Sequence, residues 1–313
     1  MTSDESTNEM PDGPVLITGA TAGLGRATAS RLAQAGIPLL LAVRDISRGH
    51  QVADEIRQDS PEADVTVRHA DVSDTSSAKG LGESLAEEGL IPRAVICNAG
   101  VQVVKGVQYS VDGYELTMAT NVVGHVALLA PLLPHLRAGA RIVTLGSETH
   151  RGGLKAFGFP RARWTGMDDL LCPDDAADSG SKSGRVRYST SKLACIVLAY
   201  ELDRRLRERE VRAACFDPGL MPATGLARDY PKAIQSLYAS LVPVLVRLPG
   251  ASQVDNAATD LAWLATSRDA DRVMGAYVSG RRARASSQAS YVGDLGSEIW
   301  DASLAAAGLP LDV

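Results

Sequence analysis

Apolar runs of four to six residues recur along the chain, each closed by a glycine or a charged residue and each followed by a stretch of helical period. PVLITG (14–19) is the first, with a helix expected after it to about Ala35. PLLLAVR (38–44) is the second, ahead of a polar helix through Ile56. DVTVRHAD (64–71) and RAVICNAG (93–100) follow, and a long helix is expected over roughly 111–135. ARIVTLGS (140–147) is a fifth run, VRAACFDPG (211–219) a sixth and GAYVSG (275–280) a candidate seventh. Between the fifth and sixth, RVRYSTSKLACIVLAYELDRRL (185–206) places Leu193, Ile196, Val197, Ala199, Leu202 and Leu206 on a helical pattern.

Strands apolar on both faces, alternating with helices, predict a parallel sheet covered on both sides. Right-handed crossovers then favour the doubly wound, Rossmann-type α/β arrangement: about seven strands, helices on both faces, a single domain from 14 to 313. Two stretches are too long for simple connectors, one near 150–184 and one near 220–248, and long loops at strand ends are where function collects. Residues 1–13 read as a disordered tail.

Composition narrows the partners. The 313 residues are 45% hydrophobic with a net charge of −5. Nothing in that balance calls for nucleic acid or an anionic membrane surface. Arg281, Arg282 and Arg284 cluster in an expected loop and read as solvated. Cys97, Cys172, Cys195 and Cys215 have no metal-ligand spacing, and three lie in apolar runs as buried thiols. The polar, acidic start is unlike a signal peptide, and no uncharged run reaches the ~18 residues of a membrane helix. LYASLVPVLVRL (237–248) is too short and contains Pro243. A cytoplasmic protein is expected, with no metal site.

The joint between the first strand and its helix, LITGATAGLGRATA, carries Gly19, Gly23 and Gly25. Residues without Cβ permit the sharp turn and let backbone N–H groups approach a pyrophosphate. The spacing TGxxxGxG differs from the general GxGxxG fingerprint. At the end of the second strand, Arg44 would pair with a ribose 2′-phosphate, whereas Asp45 would accept from a free ribose. Arg44 comes first after the apolar run, which favours NADP(H); NAD(H) stands as the alternative, as does an Arg44–Asp45 pair that caps the next helix.

These motifs, in this order, resemble the short-chain dehydrogenase/reductase superfamily over nearly the whole chain. TGATAGLG is similar to its cofactor loop, ADV (70–72) to its adenine contact, CNAG (97–100) to its NNAG stretch and DPG (217–219) to its Pro-Gly turn beside the nicotinamide. NVVGH supplies Asn121, LGS supplies Ser147 and YSTSK supplies Tyr188 and Lys192. AVRD, DGYE (112–115) and EIWDASLAAAGL (298–309) resemble the retinol-dehydrogenase-like group and its bacterial relatives, and PATGLARD (222–229) the protochlorophyllide reductases.

The resemblance implies cofactor contacts from Gly19, Thr21, Ala22, Gly23, Leu24 and Gly25, then Arg44, Asp71 and Val72. Further along they come from Asn98, Ala99 and Gly100, from Tyr188 and Lys192, and from Pro218, Gly219 and Leu220. It also implies four catalytic residues. Tyr188 is the general acid/base, Ser147 donates to the substrate oxygen, Lys192 holds the ribose and tunes the tyrosine, and Asn121 anchors a relay water. A neighbouring ammonium favours a phenolate, and residues at i and i+4 share a helix face.

The implied activity is interconversion of a carbonyl and an alcohol on a hydrophobic small molecule by hydride transfer. Alternatives on the same fold are a lyase, epimerase or C=C reductase, or a non-catalytic NADP(H) sensor. His125 and His135 read as packed or solvated, and His150 as a candidate lining residue. The insertion before Tyr188 would cover a dimerisation helix or wall the pocket, leaving a monomer or a homodimer. Phe157, Trp164 and the face formed by Ile234, Leu237, Tyr238, Leu241, Val244 and Leu245 suggest an apolar substrate, with packing in the core of the two insertions as the alternative.

Overall fold

The computed structural model describes residues 10–153, 156, 158–174, 179–219 and 253–311. The 220–248 insertion, Phe157, Leu220 and the first nine residues of the expected tail lie outside them. Eight strands form one sheet: β1 (Val15–Thr18), β2 (Leu39–Val43), β3 (Val65–His69), β4 (Ala94–Cys97), β5 (Arg141–Leu145), β6 (Arg212–Phe216), β7 (Tyr277–Ser279) and β8 (Arg282–Arg284). Their order is β3-β2-β1-β4-β5-β6-β7-β8, parallel throughout except for the β7–β8 pair. The strand order reverses between β1 and β4, the crevice where doubly wound sheets bind ligands.

Alternate residues of each strand enter opposite cores, as a period of two requires. Leu16, Val95 and Ile142 pack on one face with helices α3 (Thr75–Glu87), α5 (Gly124–Leu129), α6 (Met167–Leu171), α7 (Ser181–Leu206) and α9 (Leu295–Ala306). Val15, Ile17, Ile96 and Val143 pack on the other with α1 (Gly23–Gln34), α2 (Ile46–Asp59) and α8 (Val254–Thr266). The doubly wound expectation holds, with helices on both sides.

Three details differ from the sequence reading. The helix expected over 111–135 is shorter and carries a π turn: it runs without a gap through α4 (Leu116–Met118), the π turn (Ala119–Val123) and α5, and a 3-10 turn (Leu133–His135) follows. Pro131 and Pro134 follow closely, and a π turn leaves no trace in a uniformly apolar pattern. The arginine cluster is not a loop: Arg282 and Arg284 lie in β8, the antiparallel edge strand, and Arg281 pairs with Asp260 at 2.6 Å. That edge strand is the eighth, where about seven were expected.

Where α7 meets β6, the carboxylate of Asp203 accepts from Arg212 Nε at 2.8 Å, Arg207 Nη2 at 2.7 Å and the Ala213 N–H at 3.0 Å. Burial alone would raise its pKa, but these donors outweigh burial and hold it below the ordinary 3.8. A depressed carboxylate stabilises the fold above its unfolded pKa and loses that contribution as pH falls through its folded value. Asp203→Asn should therefore cost about 2 kcal/mol at neutral pH. In thermal melts the gap to the parent protein closes as pH falls below 3.8. A gap independent of pH would contradict the assignment.

Candidate active site

A cleft of about 1130 Å³ opens where the carboxyl ends of β1, β2, β4, β5 and β6 meet, and it reaches from the glycine loop to the face of α7. At one end Gly19 and Gly23 adopt positive φ, +67° and +54°, which only glycine takes without strain. A Cβ on Gly19 would fall 2.9 Å from Ala99 Cα, and one on Gly25 2.4 Å from Asn98 Nδ2. Ala22 caps α1 in an extended conformation with no side-chain acceptor, so the first N–H groups of the helix are left for an anion. Thr21, Ala22, Gly23 and Leu24 line this end.

Asn98 has a structural part here: its Nδ2 donates to the carbonyls of Thr18 at 2.8 Å and Gly19 at 3.2 Å, which sets the loop. His125 is packed, as read from sequence, and it links that loop to Asn121. Its Nδ1 lies 3.2 Å from the Asn121 carbonyl and its Nε2 2.9 Å from Thr18 Oγ1. Burial lowers its pKa to about 4, so the ring is neutral, with Nδ1–H donating and Nε2 accepting. His135 is exposed on the 3-10 turn.

At the end of β2 the two ribose candidates separate. Asp45 Oδ1 accepts from the Arg48 N–H at 2.9 Å and caps α2. The Arg44 side chain is 77% exposed, lines the cleft and lies 3.9 Å from Asp71 Oδ2. Asp71 Oδ1 accepts from the N–H and hydroxyl of Ser73, and Val72 lines the cleft beside it.

The catalytic candidates come from three elements. Asn121 sits in the π turn, where its Oδ1 accepts from the Val101 N–H at 2.8 Å and its Nδ2 donates to Val101 O and to Ser191 Oγ on α7. The Asn121 carbonyl faces both His125 and the Cys195 thiol, at 3.3 Å from the sulfur. A Cβ on Gly100 would lie 3.0 Å from Asn121 Oδ1 and 3.8 Å from Lys192 Nζ, so this glycine keeps a gap between the two. Ser147 follows β5, and Tyr188 and Lys192 rise one turn apart on α7. All three line the cleft.

Lys192 Nζ donates to the Leu145 carbonyl at 3.0 Å and lies 5.6 Å from the centre of the Tyr188 ring. Burial alone would lower the Lys192 pKa, but Tyr188, Cys195, Cys215 and Asp217 around it raise it above the usual lysine value. The ammonium form is therefore the one beside the phenol. The start of α7 is tied down by Arg187, whose guanidinium meets the buried Glu115 carboxylate at 3.3 Å and donates to Gly106 O. Pro218 and Gly219 close the far side, and Gly219 has a φ of +73°.

Of the cofactor and catalytic residues read from the sequence, all but Gly25, Asn121 and Leu220 (which lies outside the described residues) line this one cleft; Gly25 packs on Asn98, and Asn121 is buried behind Gly100 and Val101. Two aromatic or histidine candidates fall elsewhere. Trp164 packs against the core, and its Nε1 donates to the Glu298 carboxylate at 3.1 Å. His150 is buried behind the cleft: its Nδ1 lies 2.5 Å from Ser147 O, and its Nε2 accepts from the Ser287 N–H at 3.0 Å. Burial lowers its pKa, so it buttresses Ser147 as a neutral ring and does not line the pocket. Sequence reasoning missed Gln102, Val103, Val104 and Lys105, which line the cleft just past CNAG, and also Glu148 and Thr149. Their position at carboxyl ends of strands was the available signal.

Comparison with known proteins matches the short chain dehydrogenase family model over residues 14–158. Retinol dehydrogenase 12 of Homo sapiens is 32% identical over 215 residues, which are 68% of this chain and 63% of that protein's own length. Retinol dehydrogenase 13 of Homo sapiens is 28% identical across 96% of this chain and 86% of its own. A solved structure of a protein from Mycobacterium paratuberculosis superposes with a TM-score of 0.68 at 26% identity, covering 97% of each chain.

A doubly wound sheet with a glycine loop at its first crossover and a Tyr/Lys helix over the cleft is a Rossmann-type α/β arrangement. The chain belongs to the short-chain dehydrogenase/reductase superfamily and has retinol-dehydrogenase-like relatives. Among the described residues no helix is long and apolar enough to cross a membrane.

Proposed function

We propose that the protein is an NADP(H)-dependent oxidoreductase that interconverts a carbonyl and an alcohol on a hydrophobic small molecule. The observation that carries this reading is the placement of Ser147, Tyr188 and Lys192 in one cleft continuous with the glycine loop. A bound dinucleotide supplies or accepts the hydride. Tyr188 transfers the proton to or from the substrate oxygen, and Ser147 donates a hydrogen bond to the same oxygen, where negative charge develops. Lys192, kept cationic, stands beside the Tyr188 ring and holds the ribose. Asn121 anchors a water that passes protons in the gap left by Gly100. Val103, Val104 and Phe159 give the outer cleft its apolar wall.

Arg44, exposed and facing the cleft while Asp45 caps its helix, supports NADP(H). Arg44→Ala should weaken NADPH by about tenfold or more and leave NADH within a few fold, because only the phosphate needs the guanidinium. Equal losses, read by fluorescence titration, would remove the cofactor argument. The reaction itself is tested by following NADPH oxidation with a panel of apolar aldehydes and ketones. Turnover with none of them, by protein that binds NADPH, would overturn the carbonyl assignment.

A further inference from the structure

Behind the cleft, one hydroxyl meets two carboxylates. Tyr277 Oη lies 2.7 Å from Asp217 Oδ2 and 3.2 Å from Glu148 Oε1. Glu148 follows Ser147 directly, and Asp217 precedes Pro218 and Gly219. Asp217 Oδ1 also accepts the Gly219 N–H at 3.0 Å, which shapes the turn. The strand carrying Tyr277 therefore ties together the two walls of the cleft that come from β5 and β6.

A phenol donates a single hydrogen bond, and two ionised carboxylates offer only acceptors. The trio is satisfied when it holds one more proton: protonated Asp217 donates to the Tyr277 oxygen, and Tyr277 donates to Glu148. We propose that Tyr277 is a positioning residue for this oxidoreductase: its hydroxyl joins Asp217 to Glu148 around a shared proton and sets the Pro218–Gly219 turn against Ser147. This rests on the oxidoreductase reading of the cleft.

Asp217 and Tyr277 are both buried, and the groups facing them are mixed in charge. Arg151 Nε pairs with Glu148 Oε2 at 3.0 Å, and the His150 ring meets the Tyr277 ring edge-on at 5.3 Å. Cys215 and Tyr200 pack beside Tyr277, and Lys192 faces Asp217 from α7. Burial is the main cause that raises the Asp217 pKa above its ordinary value; hydrogen bonds that Tyr277 and the Gly219 N–H would give the ionised carboxylate act the other way and are outweighed. A raised carboxyl contributes stability that is present below its unfolded pKa and lost as pH rises through its folded value.

The test pairs two variants, Tyr277→Phe and Asp217→Asn, in thermal melts over a pH series and in NADPH fluorescence titrations. The side-chain amide introduced by Asp217→Asn would donate to Tyr277 while its oxygen still accepts from Gly219, standing in for the protonated acid. Asp217→Asn is therefore expected to hold NADPH affinity within a few fold and to lose the parent's decline in stability as pH rises. Tyr277→Phe keeps the ring packing on His150 and should weaken NADPH about tenfold, the size of one hydrogen bond to a charged group. An Asp217→Asn protein with the parent's pH response would overturn the shared proton. A folded Tyr277→Phe protein with unchanged NADPH affinity would overturn the positioning role. Parent protein that binds neither NADPH nor NADH would retire the functional reading and that role with it, while the melts still judge the proton.

Discussion

Tyr188→Phe is expected to lower turnover by about a thousandfold or more, in the range for loss of a positioned general acid/base. The same change should leave NADPH affinity within a few fold. The phenyl ring keeps its place 6.0 Å from Phe159 and near Lys192, so the cleft retains its shape while the transferable proton is gone. The contrast between the two readouts is the useful part. A variant that lost both would point to a collapsed pocket, and one that kept turnover within tenfold would end the assignment of Tyr188 as acid/base.

The second large effect concerns stability. Gly124 opens α5 with an ordinary helical φ of −63°, so its requirement is one of space and not of backbone conformation. A Cβ there would stand 1.7 Å from the Val72 carbonyl oxygen, which is backbone and has no rotamer to yield. Gly124→Ala should destabilise the fold by about 3 kcal/mol or more, as overpacking of a closed core does, and lower Tm by roughly 5–10 °C. Because Val72 also lines the cleft, NADPH affinity should fall in parallel. A melt within a degree of the parent would show that α5 and the β3 loop separate more easily than their contact implies.

The same residues show what a sequence reader can and cannot see. Strands β1, β2, β4 and β5 were legible because both their faces are buried, which writes them as unbroken apolar runs. Strand β8 was not: Arg-Ala-Arg with all three side chains exposed is how an edge strand avoids further pairing, and it resembles a solvated turn. The π turn inside the helix after Asp112 was hidden because every residue from Thr117 to Ala130 is buried, which removes the one-sided period that marks a surface helix.

Local motifs picked out the glycine loop, Tyr188 and Lys192, which line one cleft, because each motif is a single short stretch of chain. The contacts that hold the cleft together were out of reach. Tyr277 stands 60 residues from Asp217 and 129 from Glu148, and only the parallel crossovers of the sheet bring them together. His150 was read as a lining candidate because it lies three residues from Ser147, yet its ring turns inward to Ser287.

Whether this cleft takes a nicotinamide dinucleotide, with Arg44 at one end and Tyr188 at the other, is decided by titrating the purified protein with NADPH and, separately, with NADH, following fluorescence. The account predicts saturable NADPH binding at least about tenfold tighter than NADH, from one charge-assisted phosphate contact. Tighter NADH would reassign the ribose end of the cleft, and saturation by neither would contradict the account as a whole.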